Sequence, residues 1–101
     1  MLEVIEKLIK TIKSRKGSDV KSSYTSFLLS KGINHCLNKL KEEITELENA
    51  IKDKKNTVHE TADVIYHLLV TLESAGINFD HIITELKKRE NSSGFEEKRN
   101  R

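Results

Sequence analysis

Between Leu37 and Ile51, apolar residues return every three or four positions: Leu37, Leu40, Ile44, Leu47 and Ile51. Only an α-helix gathers such a series on one face, because a turn closes every ~3.6 residues. A long amphipathic helix is therefore predicted over 34–53, and the rest of the chain must cover its apolar side. The remaining sequence is also built for helices. Proline is absent from the 101 residues and only four are glycine, so little interrupts helix formation. Leu2, Ile5, Leu8, Ile9 and Ile12 predict a first helix over 2–14. Ser23 is placed to cap a short helix over 25–31, which Gly32 ends. Thr57 and Glu60 have capping-box spacing and start a helix running to Ala75, with Gly76 just beyond it. Asn78 caps a last helix reaching about Glu90. Segments 15–22 and "KDKKN" read as connections. The fold class is all-α, a helical bundle of four main helices plus a short one. A single domain is expected over 1–91, with a C-terminal tail over 92–101. The tail, "NSSGFEEKRNR" with the residue before it, is weakly patterned and is expected to be mobile or held by a partner.

Bulk properties exclude several classes of function. A net charge of +2 gives no basic footprint for nucleic acid. No run approaches the ~20 apolar residues that span a bilayer. The N-terminus, "MLEVIEKLIK", is charged throughout and lacks the apolar core of a secretion signal. The single cysteine, Cys36, has no internal disulfide partner and sits among apolar neighbours, as a buried thiol in a reducing cytoplasm would. A chain this short buries a modest core and gains stability by associating.

The chemistry is concentrated in residues 41–67, "KEEITELENAIKDKKNTVHETADVIYH". Glu43 and Glu46 are three apart on one predicted helix, with Glu42 just before them. Glu60 and Asp63 are three apart on the next. In helical projection, Val58, Ala62, Ile65, Leu68, Leu69 and Leu72 form the expected buried side of the second helix. Glu60, Asp63 and His67 fall opposite, but Val64, Val70, Thr71 and Ser74 continue that side. A helix apolar nearly all round is covered twice, so the acids are expected to face a cleft or a second chain. A short connection favours antiparallel packing, which brings both acid pairs to one level. Such a cluster repels itself unless protons or cations compensate. Hard oxygen donors suit Mg²⁺, with Mn²⁺ as a substitute.

Each piece also has a plain structural reading. Glu60 alone is explained as the helix-start partner of Thr57, and Glu42, Glu46 and Glu48 alone as solubilising charges. His67 alone reads as a structural histidine, and Tyr24 and Tyr66 as packing residues with a polar tip. His35, His59 and His81 show no ligand spacing, so zinc is not expected.

Taken together, the residues resemble the metal motif of the all-α MazG-like nucleoside triphosphate pyrophosphohydrolases, and more closely the phosphoribosyl-ATP pyrophosphohydrolase family. The stretches that carry this are "SYTSFLLSKG" (23–32), "KLKEEITE" (39–46), "ETADVIYHLLV" (60–70) and "GFEEK" (94–98). One departure is Lys41, where the family usually has glycine; it projects outward, so a side chain is tolerated. The resemblance implies hydrolysis of phosphoribosyl-ATP to phosphoribosyl-AMP and pyrophosphate, the second step of histidine biosynthesis. It implies Mg²⁺ on Glu43, Glu46, Glu60 and Asp63, with Glu42 or Glu46 orienting water as the base. Lys39 is placed to meet a phosphate, with Arg89 as a further candidate. Tyr24, Thr25 and Lys31 are expected to form the wall recognising the phosphoribosyl-adenine portion. The resemblance also implies a homodimer acting on a small molecule, without nucleic acid or membrane. Two other readings compete: a MazG-like enzyme clearing ordinary or damaged nucleoside triphosphates, and a non-enzymatic helical interaction module whose acids are merely solvated.

Overall fold

The computed structural model describes residues 2–90 and 94–99, and the regular structure among them is entirely helical. The helices are α1 (Leu2–Arg15), α2 (Tyr24–Lys31), α3 (Ile33–Asp53), α4 (Thr57–Ser74), α5 (Phe79–Arg89) and α6 (Gly94–Arg99). The expected bundle of four main helices and a short one is present. The sixth helix lies in the stretch expected to be an unpatterned tail, and its Phe95 is exposed. The expected boundary between 91 and 92 lies outside the described residues. No described helix is long and apolar enough to cross a membrane.

The ends of several helices follow from local chemistry. Ser23 Oγ accepts the N–H of Ser26 at 3.1 Å and starts α2. Asn78 Oδ1 accepts the N–H of Asp80 at 2.9 Å and starts α5. Gly76 takes φ 73° beyond α4, a left-handed conformation that closes the helix at little cost for glycine.

The most extensive packing joins α3 to α4, which run back along each other from a three-residue turn. Lys54 and Asn56 in this turn have φ 55° and 61°, a region that costs most side chains about 1–2 kcal/mol. One carbonyl takes two of the turn's donors. Ala50 O accepts the N–H of Lys55 at 3.1 Å and the hydroxyl of Thr57 at 3.4 Å. The expected capping box therefore does not form. Asn56 occupies the cap position without a side-chain bond, and the Thr57 hydroxyl is committed to α3. The Glu60 carboxylate is left for other work.

Ile12 of α1, Leu28 of α2, Cys36 of α3, and Leu69 and Val70 of α4 form the core, with Ile5, Leu8, Ile9, Phe27, Tyr66 and Phe79 packed around it. Cys36 is buried as expected, and its thiol donates to Leu28 O at 3.4 Å. α5 lies beside α1, with Ile5, Ile9, Phe79 and Ile83 lining the space between them.

The face assignment of α4 is corrected. Among the expected core residues only Leu69 is buried and Leu72 partly so; Ala62 is exposed, and Val58, Ile65 and Leu68 are 87%, 40% and 40% exposed. The side carrying His67, Val70 and Thr71 turns inward. It does so because its polar groups find partners: the Thr71 hydroxyl lies 2.6 Å from His67 O and 3.3 Å from Cys36 O. The apolar series of α3 behaves alike. Leu37, Ile44 and Ile51 are largely exposed, while Cys36 and Ala50 are buried.

Candidate active site

Cys36, Glu43 and Ala50 are spaced by seven, so they stand on one face of α3 two turns apart. That face packs on α4, and it draws the Glu43 carboxylate inside, to 16% side-chain exposure. The tight turn then sets the first turn of α4 beside the last turns of α3. Glu60 arrives next to Glu43 and Glu46, and donor atoms of these three lie within 4.8 Å of one another. A second trio, His59, Glu60 and Asp63, meets the same limit. Glu60 belongs to both. Glu60 of the second acid pair thus meets the first pair, as expected from the sequence, while Asp63 stands beside Glu60 in the second trio.

The cluster lacks compensation from within. Glu43 and Glu60 each carry a buried carboxylate oxygen with no hydrogen-bond partner. The nearest base to Glu43 is His67, whose Nε2 is 3.7 Å from Glu43 Oε1, beyond hydrogen-bond length. Burial holds the His67 imidazole below its ordinary pKa, hence neutral. Burial, then the adjoining Glu46 carboxylate, then Asp63 and Glu60, push Glu43 up to about 7. Glu60 is raised too, first by burial and then by Glu46. Partnerless buried oxygens in a set of carboxylates are what a divalent cation satisfies, so these residues fit Mg²⁺ or Mn²⁺.

The other candidate residues divide. Glu42 stands outside both trios, exposed and paired to Lys39 Nζ at 3.2 Å. Lys39 is held above its ordinary pKa by that bond. Tyr24 is 54% exposed; its ring meets His67 edge-on at 6.1 Å and stacks on Phe27 at 6.2 Å. Thr25 is hydrogen-bonded to the Tyr66 hydroxyl, so it fastens α2 to α4. Lys31 Nζ sits 5.3 Å over the Phe27 ring. Arg89 is not brought to the acids; it pairs with Glu85 at 3.3 Å on α5, beside α1. Lys41 is exposed, as its projection suggested. Sequence reasoning passed over Lys55, which joins Glu46, Asn49, Asn56 and Glu60 around an open pocket of about 270 Å³. Nothing in its spacing marks it, because a turn residue has no periodicity to read.

A pH dependence follows for the metal-free protein. Folded Glu43 keeps a proton up to about pH 7, while the unfolded chain releases it near 4.5. The folded state thus binds more protons in that window, and stability contributed at Glu43 falls as pH rises through it. Glu43→Gln lacks this titration. In thermal melts with chelator, the margin by which Glu43→Gln exceeds wild type is expected to widen from about pH 5 to about pH 8. A margin that stays constant would show that Glu43 does not titrate abnormally.

The chain was compared with known proteins. The family model described as phosphoribosyl-ATP pyrophosphohydrolase matches residues 5–90. A phosphoribosyl-ATP pyrophosphatase of Cereibacter sphaeroides is 39% identical over 102 aligned residues, covering 99% of each chain. One of Geobacter metallireducens is 43% identical over 101, covering 98% of this chain and 93% of that one. The histidine biosynthesis bifunctional protein HisIE of Wolinella succinogenes is 44% identical over 100, covering 97% of this chain and 44% of that protein.

Proposed function

The chain belongs to the phosphoribosyl-ATP pyrophosphohydrolase family, and on that footing we propose that it hydrolyses phosphoribosyl-ATP to phosphoribosyl-AMP and pyrophosphate in histidine biosynthesis, with Mg²⁺ at the α3–α4 acids. The observation that carries the metal reading is the pair of buried, partnerless oxygens on Glu43 and Glu60 inside a three-acid cluster. Glu43, Glu46, Glu60 and Asp63 hold the cation. When bound, it neutralises phosphate charge and lowers the pKa of water coordinated to it.

The remaining roles fall to the chain's own side chains. Glu46 is at the exposed edge of the cluster, reachable by water, and serves as the base. Glu42 is committed to Lys39 and is the weaker choice. Lys39 and Lys55 flank the acids and meet phosphate oxygens. Tyr24 and Lys31 present a half-exposed ring and a cation on the α2 side, where the phosphoribosyl-adenine portion is recognised. The exposed apolar residues of α3 and α4 form a homodimer interface, and the reduced, buried Cys36 suits a cytoplasmic enzyme.

Tyr24→Ala is expected to raise KM for phosphoribosyl-ATP about tenfold, a loss of ~1.4 kcal/mol of binding, with the melting temperature and Mg²⁺ binding little changed. Thr25→Ala, which removes the bond to Tyr66, is expected to lower the melting temperature. If Tyr24→Ala loses stability in step with activity, the residue is structural and the recognition role is wrong. The proposed function as a whole is tested by pyrophosphate release from phosphoribosyl-ATP beside ATP, dCTP and dUTP. Preference for phosphoribosyl-ATP is expected; equal or better turnover of the ordinary triphosphates would overturn it.

A further inference from the structure

His67 stands on the inward face of α4, and only 7% of its side chain is exposed. Its ring is held on two sides by tyrosines. Tyr66 meets it edge-on with ring centroids 5.2 Å apart, and Tyr24 of α2 does so at 6.1 Å. The Tyr66 hydroxyl is bonded to Thr25, so both flanking rings are tied to the same short helix. The His67 carbonyl accepts the Thr71 hydroxyl at 2.6 Å, which adds to the support from its own helix. The imidazole Nε2 faces Glu43, 3.7 Å from Oε1. The other oxygen of that carboxylate, Oε2, is buried without a hydrogen-bond partner.

We propose that His67 is a positioning residue for Glu43: its Nε2–H donates to Oε1 and so keeps Oε2 turned toward the cation. The inference rests on the metal reading above and adds a residue that supports a ligand without being one. The separation has to close by ~0.8 Å to reach an ordinary N–H···O bond of ~2.9 Å. Rotation of a carboxylate about its last torsion is soft and supplies a shift of that size. The imidazole is packed between two rings, so the carboxylate adapts to it and not the reverse. A ligating carboxylate that is itself hydrogen-bonded holds its other oxygen in place, and such outer partners tune metal affinity. The arrangement also joins two parts of the site. Tyr24, the ring proposed to meet the substrate, touches the same imidazole that faces Glu43. The ordinary alternative is a core histidine that fills space, with Nε2 near Glu43 only because α3 packs on α4.

The test is calorimetric titration of chelator-stripped protein with MgCl₂. It compares wild type, His67→Gln, His67→Leu and Glu43→Gln, with the fold of each checked by circular dichroism. Glutamine can bring an amide N–H close to where Nε2 stands, whereas leucine fills the space without a donor. His67→Leu is expected to bind Mg²⁺ about tenfold more weakly than wild type, and His67→Gln to stay within about threefold of it. Unchanged binding in His67→Leu, or an equal loss in both variants, would overturn the proposal, because a histidine acting by volume alone gives one or the other. A second measurement needs no folded leucine variant: the ¹⁵N spectrum of histidine-labelled wild type at about pH 8, with the His67 signals identified by their absence from His67→Gln. A proton on Nε2 is expected; a proton on Nδ1 alone would overturn the proposal. If wild type takes up no Mg²⁺, or Glu43→Gln takes it up as wild type does, the metal reading fails and the positioning role with it. If wild type binds and Glu43→Gln does not, the metal reading stands whichever way the His67 variants fall.

Discussion

Glu43→Gln is expected to lose at least about 10²-fold in turnover of phosphoribosyl-ATP, while the metal-free variant melts several degrees above wild type. The two effects have one cause. Glu43 is the carboxylate that α3 draws furthest inside, at the heptad position between Cys36 and Ala50. Its charge is opposed by burial and by Glu46, Asp63 and Glu60. Glutamine keeps the shape and removes the charge, and its amide can donate to Glu46 or Glu60. Repulsion is relieved, so the folded state gains. The same change removes one of the proposed metal ligands, so turnover is expected to fall with it. Asp63→Asn is expected to lose activity for the same reason. Near-normal turnover by both variants at low Mg²⁺ would remove the basis for the ligand assignment.

The second large effect concerns assembly. Leu37, Ile44 and Ile51 on α3, and Val58, Ile65 and Leu68 on α4, stay largely exposed in the single chain. Leu37, Ile44 and Ile51 recur at seven-residue steps along α3, and Val58 and Ile65 do so along α4, the spacing by which one helix seats against another. Burying an isoleucine or leucine is worth about 1.5–3 kcal/mol, and a two-fold interface counts each residue twice. Wild type is therefore expected to sediment at twice the chain mass at micromolar concentration. The double variant Ile44→Glu with Ile65→Glu is expected to sediment as one chain. Neither residue belongs to the buried core of Ile12, Leu28, Cys36, Leu69 and Val70, so each chain's own packing is spared. A wild-type protein that is monomeric and fully active would dismiss the dimer.

The parts of the fold that local chemistry decides were legible in the sequence. Ser23 and Asn78 cap the helices they were expected to cap, and Gly32 and Gly76 end theirs, because a cap depends on a few adjacent residues. The acids of α3 and α4 meet because a short connection leaves two helices little choice. What could not be read is which face of α4 points home. Helical periodicity finds the most apolar side but does not say whether it is covered by the same chain or another. Here the inward side carries His67 and Thr71, and the Thr71 hydroxyl gains its second partner, Cys36 O, only once α3 is in place. Thr57 and Glu60 have capping-box spacing, yet the left-handed turn at Lys54 and Asn56 puts Thr57 against Ala50 instead. Lys55 escaped notice for a related reason: it gains meaning from the turn that sets it beside Glu60.

The proposed activity requires that the α3–α4 acids make a metal-dependent pyrophosphohydrolase of phosphoribosyl-ATP. The direct measurement is pyrophosphate release from phosphoribosyl-ATP by chelator-stripped enzyme as Mg²⁺ is titrated back. Activity is predicted to be absent without the cation, to rise to saturation with it in wild type, and to stay near background in Glu43→Gln at every Mg²⁺ concentration. Full pyrophosphate release from the stripped enzyme, or a Glu43→Gln curve lying on that of wild type, would contradict it.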